Sequence, residues 1–163
     1  GEEDHSDGEM LRYIADTLGR VEGVSSQLAL DRENNYLYIA DSGNRRIVRL
    51  DTRSGTRGDR VLPNYDFVQV HHLMNDADYE VLDLQGSPLG TPSGLMLHDG
   101  LLYIGDYSYS EFRVVTTDGD EVRTLYTDFD PDSIGSMVMG PDDRIYFTVP
   151  KQGKIFRINH DLR

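Results

Sequence analysis

The chain has 163 residues, 37% of them hydrophobic and 28% charged, and its 16 basic against 29 acidic side chains give a formal charge of −13. That length suits one ordinary globular core, and its strand-sized apolar runs fall short of the roughly 18–20 residues of a membrane-spanning helix. The acidic balance excludes a nucleic-acid partner, which needs clustered Lys and Arg, and the lack of cysteine removes disulfides, thiolate nucleophiles, thiolate-held metals and covalently attached haem.

The sequence opens Gly1-Glu2-Glu3-Asp4-His5 rather than on methionine, which reads as a processed or cloned chain or a piece of a longer one. Residues 1–8 are polar without periodicity, the pattern of a flexible acidic arm, and the folded part is expected over 9–163. Met10 to Asp16 is strand-like, although Leu11, Ile14, Ala15 and Leu18 also fit a helical stripe.

A repeating unit then begins. Leu28-Ala29-Leu30, Tyr36 to Ala40 and Ile47 to Leu50 are three short strands separated by turns at Asp31–Asn35 and Asp41–Arg46. Leu95-Met96-Leu97, Leu101 to Asp106 and Phe112 to Val115 repeat the pattern, with turns at His98–Gly100 and Tyr107–Glu111. Met137-Val138-Met139, Arg144 to Val149 and Lys154 to Ile158 give it a third time, with turns at Gly140–Asp143 and Pro150–Gly153. The register agrees between copies, since Tyr38, Tyr103 and Tyr146 are followed twelve positions later by Leu50, Val115 and Ile158.

Tyr103 and Tyr146 lie 43 residues apart, within the period of about 40–45 residues expected of a propeller blade. Tyr38 and Tyr103 lie 65 apart, so the first copy carries an insertion. The copies fall at 24–84 with an insertion over 53–91, at 92–127 and at 133–163. Phe67, Val70, Val81, Leu82 and Leu84 provide one or two strands in the insertion, one of them the outer strand of the first blade. Glu121 to Tyr126 is the fourth strand of the second copy, and Met10–Asp16 is available as a fourth strand for the third. Apolar stretches without strict alternation, such as Tyr36–Ala40, require sheets covered on both faces. The expected architecture is all-β, a partial β-propeller of about three four-stranded antiparallel blades.

The residues that carry this pattern resemble the NHL repeat of six-bladed propellers: Leu28 to Asp31, then Leu37-Tyr38-Ile39-Ala40-Asp41-Ser42-Gly43-Asn44 with Arg46-Ile47, then Val48 to Asp51. The second copy keeps Leu102 to Asp106 and changes the turn to Tyr107-Ser108-Tyr109-Ser110-Glu111. The third keeps Ile145-Tyr146 and has Val149 in place of the aspartate. About three blades do not close a ring of the usual four to eight. The chain therefore reads as part of a longer propeller, as half of a ring completed by a second copy, or as a chain whose insertion hides a fourth blade.

In such a fold the turns 41–46, 106–111 and 149–153 gather on one face. Arg45, Arg46, Tyr107, Tyr109 and Lys151 are the candidate binding residues there, a mixed aromatic and cationic set suited to a protein, peptide or carbohydrate partner. The plainer reading gives Asp41 and Asp106 to the backbone amides of their own turns.

Candidate metal ligands are His71 and His72 for zinc, and Asp128, Asp130 and Asp132, whose alternate spacing suits calcium. Adjacent residues on a strand point to opposite faces, which argues against both imidazoles reaching one ion. Ser133 and Met139 stand where an EF-hand requires Gly and Glu. The resemblance also admits a metal-dependent propeller enzyme, similar to lactonases or amidating lyases, and a structural segment of an extracellular, periplasmic or redox assembly. No nucleophile elbow, zincin helix, P-loop or dinucleotide fingerprint occurs.

Overall fold

The structure is a computed structural model and describes residues 9–13, 17–61 and 70–158. The expected arm over 1–8, Phe67 in the insertion and the last five residues lie outside the described residues. Fourteen strands are described, with short 3₁₀ turns at Ser42–Asn44 and Pro150–Gln152 and no α-helix among the described residues. They are β1 (Glu9–Tyr13), β2 (Leu28–Asp31), β3 (Tyr36–Asp41), β4 (Arg46–Asp51), β5 (Thr56–Arg60), β6 (Val70–Asn75), β7 (Tyr79–Val81), β8 (Pro92–His98), β9 (Leu101–Asp106), β10 (Glu111–Thr116), β11 (Glu121–Tyr126), β12 (Met137–Met139), β13 (Ile145–Val149) and β14 (Lys154–Ile158).

Each sequence copy forms a sheet. The first has the order β2-β3-β4-β7, the second β8-β9-β10-β11 and the third β12-β13-β14, all antiparallel. Tyr38 pairs with Ala29 and Arg49, Tyr103 with Met96 and Val114, and Tyr146 with Val138 and Arg157, so the three tyrosines occupy one register position. The outer strand of the first sheet is β7, from the insertion, as the Val81 segment suggests.

One expectation is corrected. The described part of the Met10–Asp16 segment, up to Tyr13, does not complete the third sheet, because β1 pairs in parallel with β6, Glu9 opposite Val70 through Tyr13 opposite Met74. The third sheet has three described strands. Among the described residues of the insertion, β5 and β6 make a hairpin whose open edge is satisfied by β1, giving a mixed sheet β1-β6-β5. Unpaired edge amides and carbonyls make such a partner favourable, and the Tyr13 hydroxyl ties the sheet to the end of β4 by donating to the Thr52 carbonyl at 2.7 Å.

The core consists of two layers between stacked sheets. Ala29, Tyr38, Ala40 and Ile47 of the first sheet meet Leu95, Leu102, Ile104 and Val115 of the second. Met96, Tyr103, Phe112 and Val114, on the opposite face of the second sheet, meet Met137, Ile145 and Phe147 of the third. The first layer packs alanines against leucines. The second is aromatic, with Phe147 edge-on to Phe112 at 4.8 Å and stacked on Phe156 at 5.7 Å.

The second sheet is thus buried on both sides, which explains the continuous apolar run of β8. A buried ion pair also serves it: Arg113 donates to Glu111 at 2.7 and 2.8 Å and to the carbonyls of Ser87 and Pro88, strapping the incoming linker to β10.

Candidate functional site

The three turns between second and third strands are joined by a continuous set of contacts, which places them on one face. In the first turn the buried Asp41 carboxylate accepts from the Gly19 N–H at 2.7 Å, the Asn44 amide at 2.9 Å and the Arg46 guanidinium at 2.7 Å. A Cβ on Gly43 would lie 2.5 Å from backbone atoms of Gly19 and Arg20, so the turn needs glycine for the linker to approach. Arg45, in the left-handed region with φ 59°, reaches forward and donates to the Gly90 carbonyl at 2.8 Å.

Gly90 belongs to the linker that the second turn holds. The Asp106 carboxylate accepts from the N–H groups of Gly90, Thr91 and Tyr109 at 2.6, 3.0 and 3.1 Å, and the Ser108 and Thr91 hydroxyls pair at 2.7 Å. The Ser110 hydroxyl, on the same turn, donates to the Asp130 carbonyl at 2.7 Å and accepts from the Ser133 N–H at 3.2 Å. From the third turn Lys151 donates to the Pro131 carbonyl at 3.2 Å and sits 3.7 Å from Asp132.

Burial works against the ionised form of Asp41, but the hydrogen bonds from Asn44, Gly19 and Arg46 outweigh it and hold the carboxyl below the usual carboxylate range. Asp31 behaves alike: burial opposes ionisation, and the Asn34 side chain with the Asn34 and Glu33 N–H groups prevails.

The five candidate binding residues therefore share a face and divide by environment. Arg45, Arg46 and Lys151 have backbone or carboxylate partners, with Arg46 held by Asp41 and by the Thr17 carbonyl at 3.1 Å. Tyr107 is half-buried, and Tyr109 is 51% exposed on a turn whose base is buried. Asp41 and Asp106 hold incoming linkers as well as their own turns.

The candidate metal ligands occupy separate elements. His72 lies on β6 with its ring 3.1 Å from the Gly58 carbonyl, and the side chain of His71 lies outside the described set. Asp128, Asp130 and Asp132 are in the linker from β11 to β12, where Asp132 faces Lys151. Among the described residues no group of three or more His, Asp or Glu is placed to hold an ion.

Sequence reasoning missed Gln27. Its side chain accepts from the Leu95 and Met137 N–H groups at 3.2 and 2.9 Å and donates to the Met137 carbonyl at 2.6 Å, joining the innermost strands of all three sheets. The other copies have Gly94 and Ser136 at its register, so no repeated residue marks it.

Neither a protein-family model nor a curated protein sequence matches the chain. Among solved structures it is similar to a luciferin-regenerating enzyme, at 18% identity over 77% of this chain, with a TM-score of 0.51. The chain spans 37% of the length of that enzyme's chain. A likeness at that identity carries the fold alone, a β-propeller-like all-β architecture. No helix among the described residues is long and apolar enough to cross a membrane.

Proposed function

We propose that the chain is three consecutive blades of an NHL-like β-propeller, and that the face carrying turns 41–46, 106–111 and 149–153 binds a protein, peptide or carbohydrate. The observation that carries this reading is Tyr109, 51% exposed on a turn anchored by a fully buried Asp106. A tyrosine presented on a rigid base offers a large contact surface with only two side-chain torsions to fix, which suits stacking on a sugar ring or an extended peptide. Tyr107 belongs to the same turn and Lys151 lies on the third turn beside Pro131 and Asp132, whereas Arg45 and Arg46 support the turns from within. The shared register of Tyr38, Tyr103 and Tyr146 supports the blade count.

The test uses peptide and glycan arrays probed with the full chain, and with Tyr109→Ala and Tyr79→Ala variants. Tyr79, 40% exposed on the outer strand β7 and paired with Leu50 at the end of β4 opposite the 41–46 turn, is the aromatic control away from the turn face. Hits that weaken at least tenfold with Tyr109→Ala and persist with Tyr79→Ala support the face. Hits that ignore Tyr109, or that depend equally on Tyr79, sink it.

A further inference from the structure

Gly90 is where the first two blades meet on the turn face, and a side chain from each of their turns is built on it. Arg45 of the first turn donates through Nε to the Gly90 carbonyl at 2.8 Å. The Tyr109 ring of the second turn packs on the glycine backbone, since a Cβ there would lie 3.1 Å from Tyr109 Cδ2, 2.9 Å from Ser108 Cβ and 2.7 Å from Asp106 Oδ1. Gly90 is buried and its N–H is held by Asp106 at 2.6 Å, so the platform under both side chains is fixed.

What each side chain leaves open is specific. Arg45 is exposed, and beyond the Nε bond its two terminal nitrogens have no partner among the described residues. Two other cations of the face are already engaged, Arg46 by Asp41 and Thr17, and Lys151 by Pro131 and Asp132. The turn carboxylates Asp41 and Asp106 are buried and occupied by their own donors, so neither competes for Arg45. Tyr109 keeps 51% of its surface open. The remainder is a planar pair of N–H donors, the geometry that grips a carboxylate by two hydrogen bonds, near an apolar ring.

A ligand that uses both groups carries an anion on a flat apolar unit. A hexuronate meets that requirement, because its carboxylate carbon is bonded directly to the pyranose ring, and one rigid residue offers C–H groups to the tyrosine and two oxygens to the arginine. A glutamate in a peptide holds its carboxylate on a flexible chain, whose ordering costs free energy, and it has no ring. The chain's charge of −13 opposes a polyanion, which favours a single uronate among neutral sugars.

We propose that the Gly90 platform binds a hexuronate residue of an otherwise neutral glycan, with its pyranose ring on Tyr109 and its carboxylate on the terminal nitrogens of Arg45. The inference rests on the turn face being a binding face and names the ligand class for it.

The experiment is isothermal titration calorimetry of the full chain with trisaccharides ending in glucuronate or galacturonate, with their methyl esters, with the same trisaccharides ending in glucose, and with a Glu-containing heptapeptide. At least one of the two acids is expected to bind, and its ester and its glucose-ended counterpart to bind about tenfold more weakly, the loss of hydrogen bonds to a charged group. Tyr109→Ala is expected to weaken the acid by a similar factor. Arg45→Lys keeps the charge and a donor for the Gly90 carbonyl but loses the fork. It is expected to weaken the acid and leave the ester unchanged, whereas a purely supporting Arg45 would weaken both alike.

Esters that bind as tightly as the acids, with Tyr109 still required, would overturn the uronate assignment and keep the turn-face reading. Binding of the heptapeptide in place of every sugar, again through Tyr109, would do the same. No binding by either acid would overturn the assignment as well, and acid binding indifferent to Tyr109→Ala would overturn both readings. The comparison of acid and ester on the unaltered chain holds even if a variant misfolds.

Discussion

Asp106 and Val149 stand at the same register position, three residues after Tyr103 and Tyr146, yet one is a buried carboxylate and the other a buried isopropyl group. Around Asp106 three backbone N–H groups converge and have no other described acceptor in the turn. Around Val149 the linker finds partners elsewhere: Ser133 N–H uses the Ser110 hydroxyl of the preceding turn, and Gly135 N–H uses the Thr148 carbonyl. Val149 then joins the aromatic layer with Phe147 and Phe112. The difference teaches that the aspartate of the repeat is needed where linker amides lack another acceptor, and is dispensable where a neighbouring turn supplies one.

Three substitutions or conditions break this contrast, in decreasing order of effect. Phe147→Ala removes the ring that packs against Phe112, Phe129 and Phe156 beside the third turn, and is expected to lower stability by about 4 kcal/mol, read from urea unfolding. A loss under about 1 kcal/mol would mean that this layer does not hold the third blade.

Asp106→Val imposes the third turn's residue on the second. It strands the Gly90, Thr91 and Tyr109 N–H groups, for an expected loss of about 3 kcal/mol in the same assay. An unchanged midpoint would show that packing alone suffices there as well.

The smallest effect is that of acid on the first turn. Asp41 is depressed in the folded state relative to its unfolded value near 3.9. The stability it contributes is therefore complete above about pH 4 and fades as pH falls through the folded value. Unfolding midpoints of Asp41→Asn are expected to vary less with pH in that acidic window than those of wild type. Parallel curves would remove Asp41 from the account.

Much of the repeat was legible in the sequence because it is local. The Tyr38, Tyr103 and Tyr146 spacing, the turns and the outer strands β7 and β11 follow from short-range patterns of apolar and turn residues. The pairing of β1 with β6 was not legible, since parallel partners some 60 residues apart leave no local signature. Arg113 was hidden for a different reason. A charge in a strand reads as solvent-facing, and here Glu111 and two linker carbonyls satisfy it in the core. Of the candidate site, the shared face was predictable from topology. The division between supporting cations and a presented tyrosine depended on hydrogen bonds to linkers distant in sequence.

The central claim is that buried carboxylates fix the turns, so that Tyr109 is displayed on a rigid base. Amide hydrogen exchange of the wild type and Asp106→Val tests it most directly. The account predicts that the Gly90, Thr91 and Tyr109 amides exchange slowly in wild type and lose most of that protection in the variant, while the paired amides of β9 and β10 keep theirs. Fast exchange of those three amides in wild type, or a uniform loss across β9 and β10 in the variant, would contradict it.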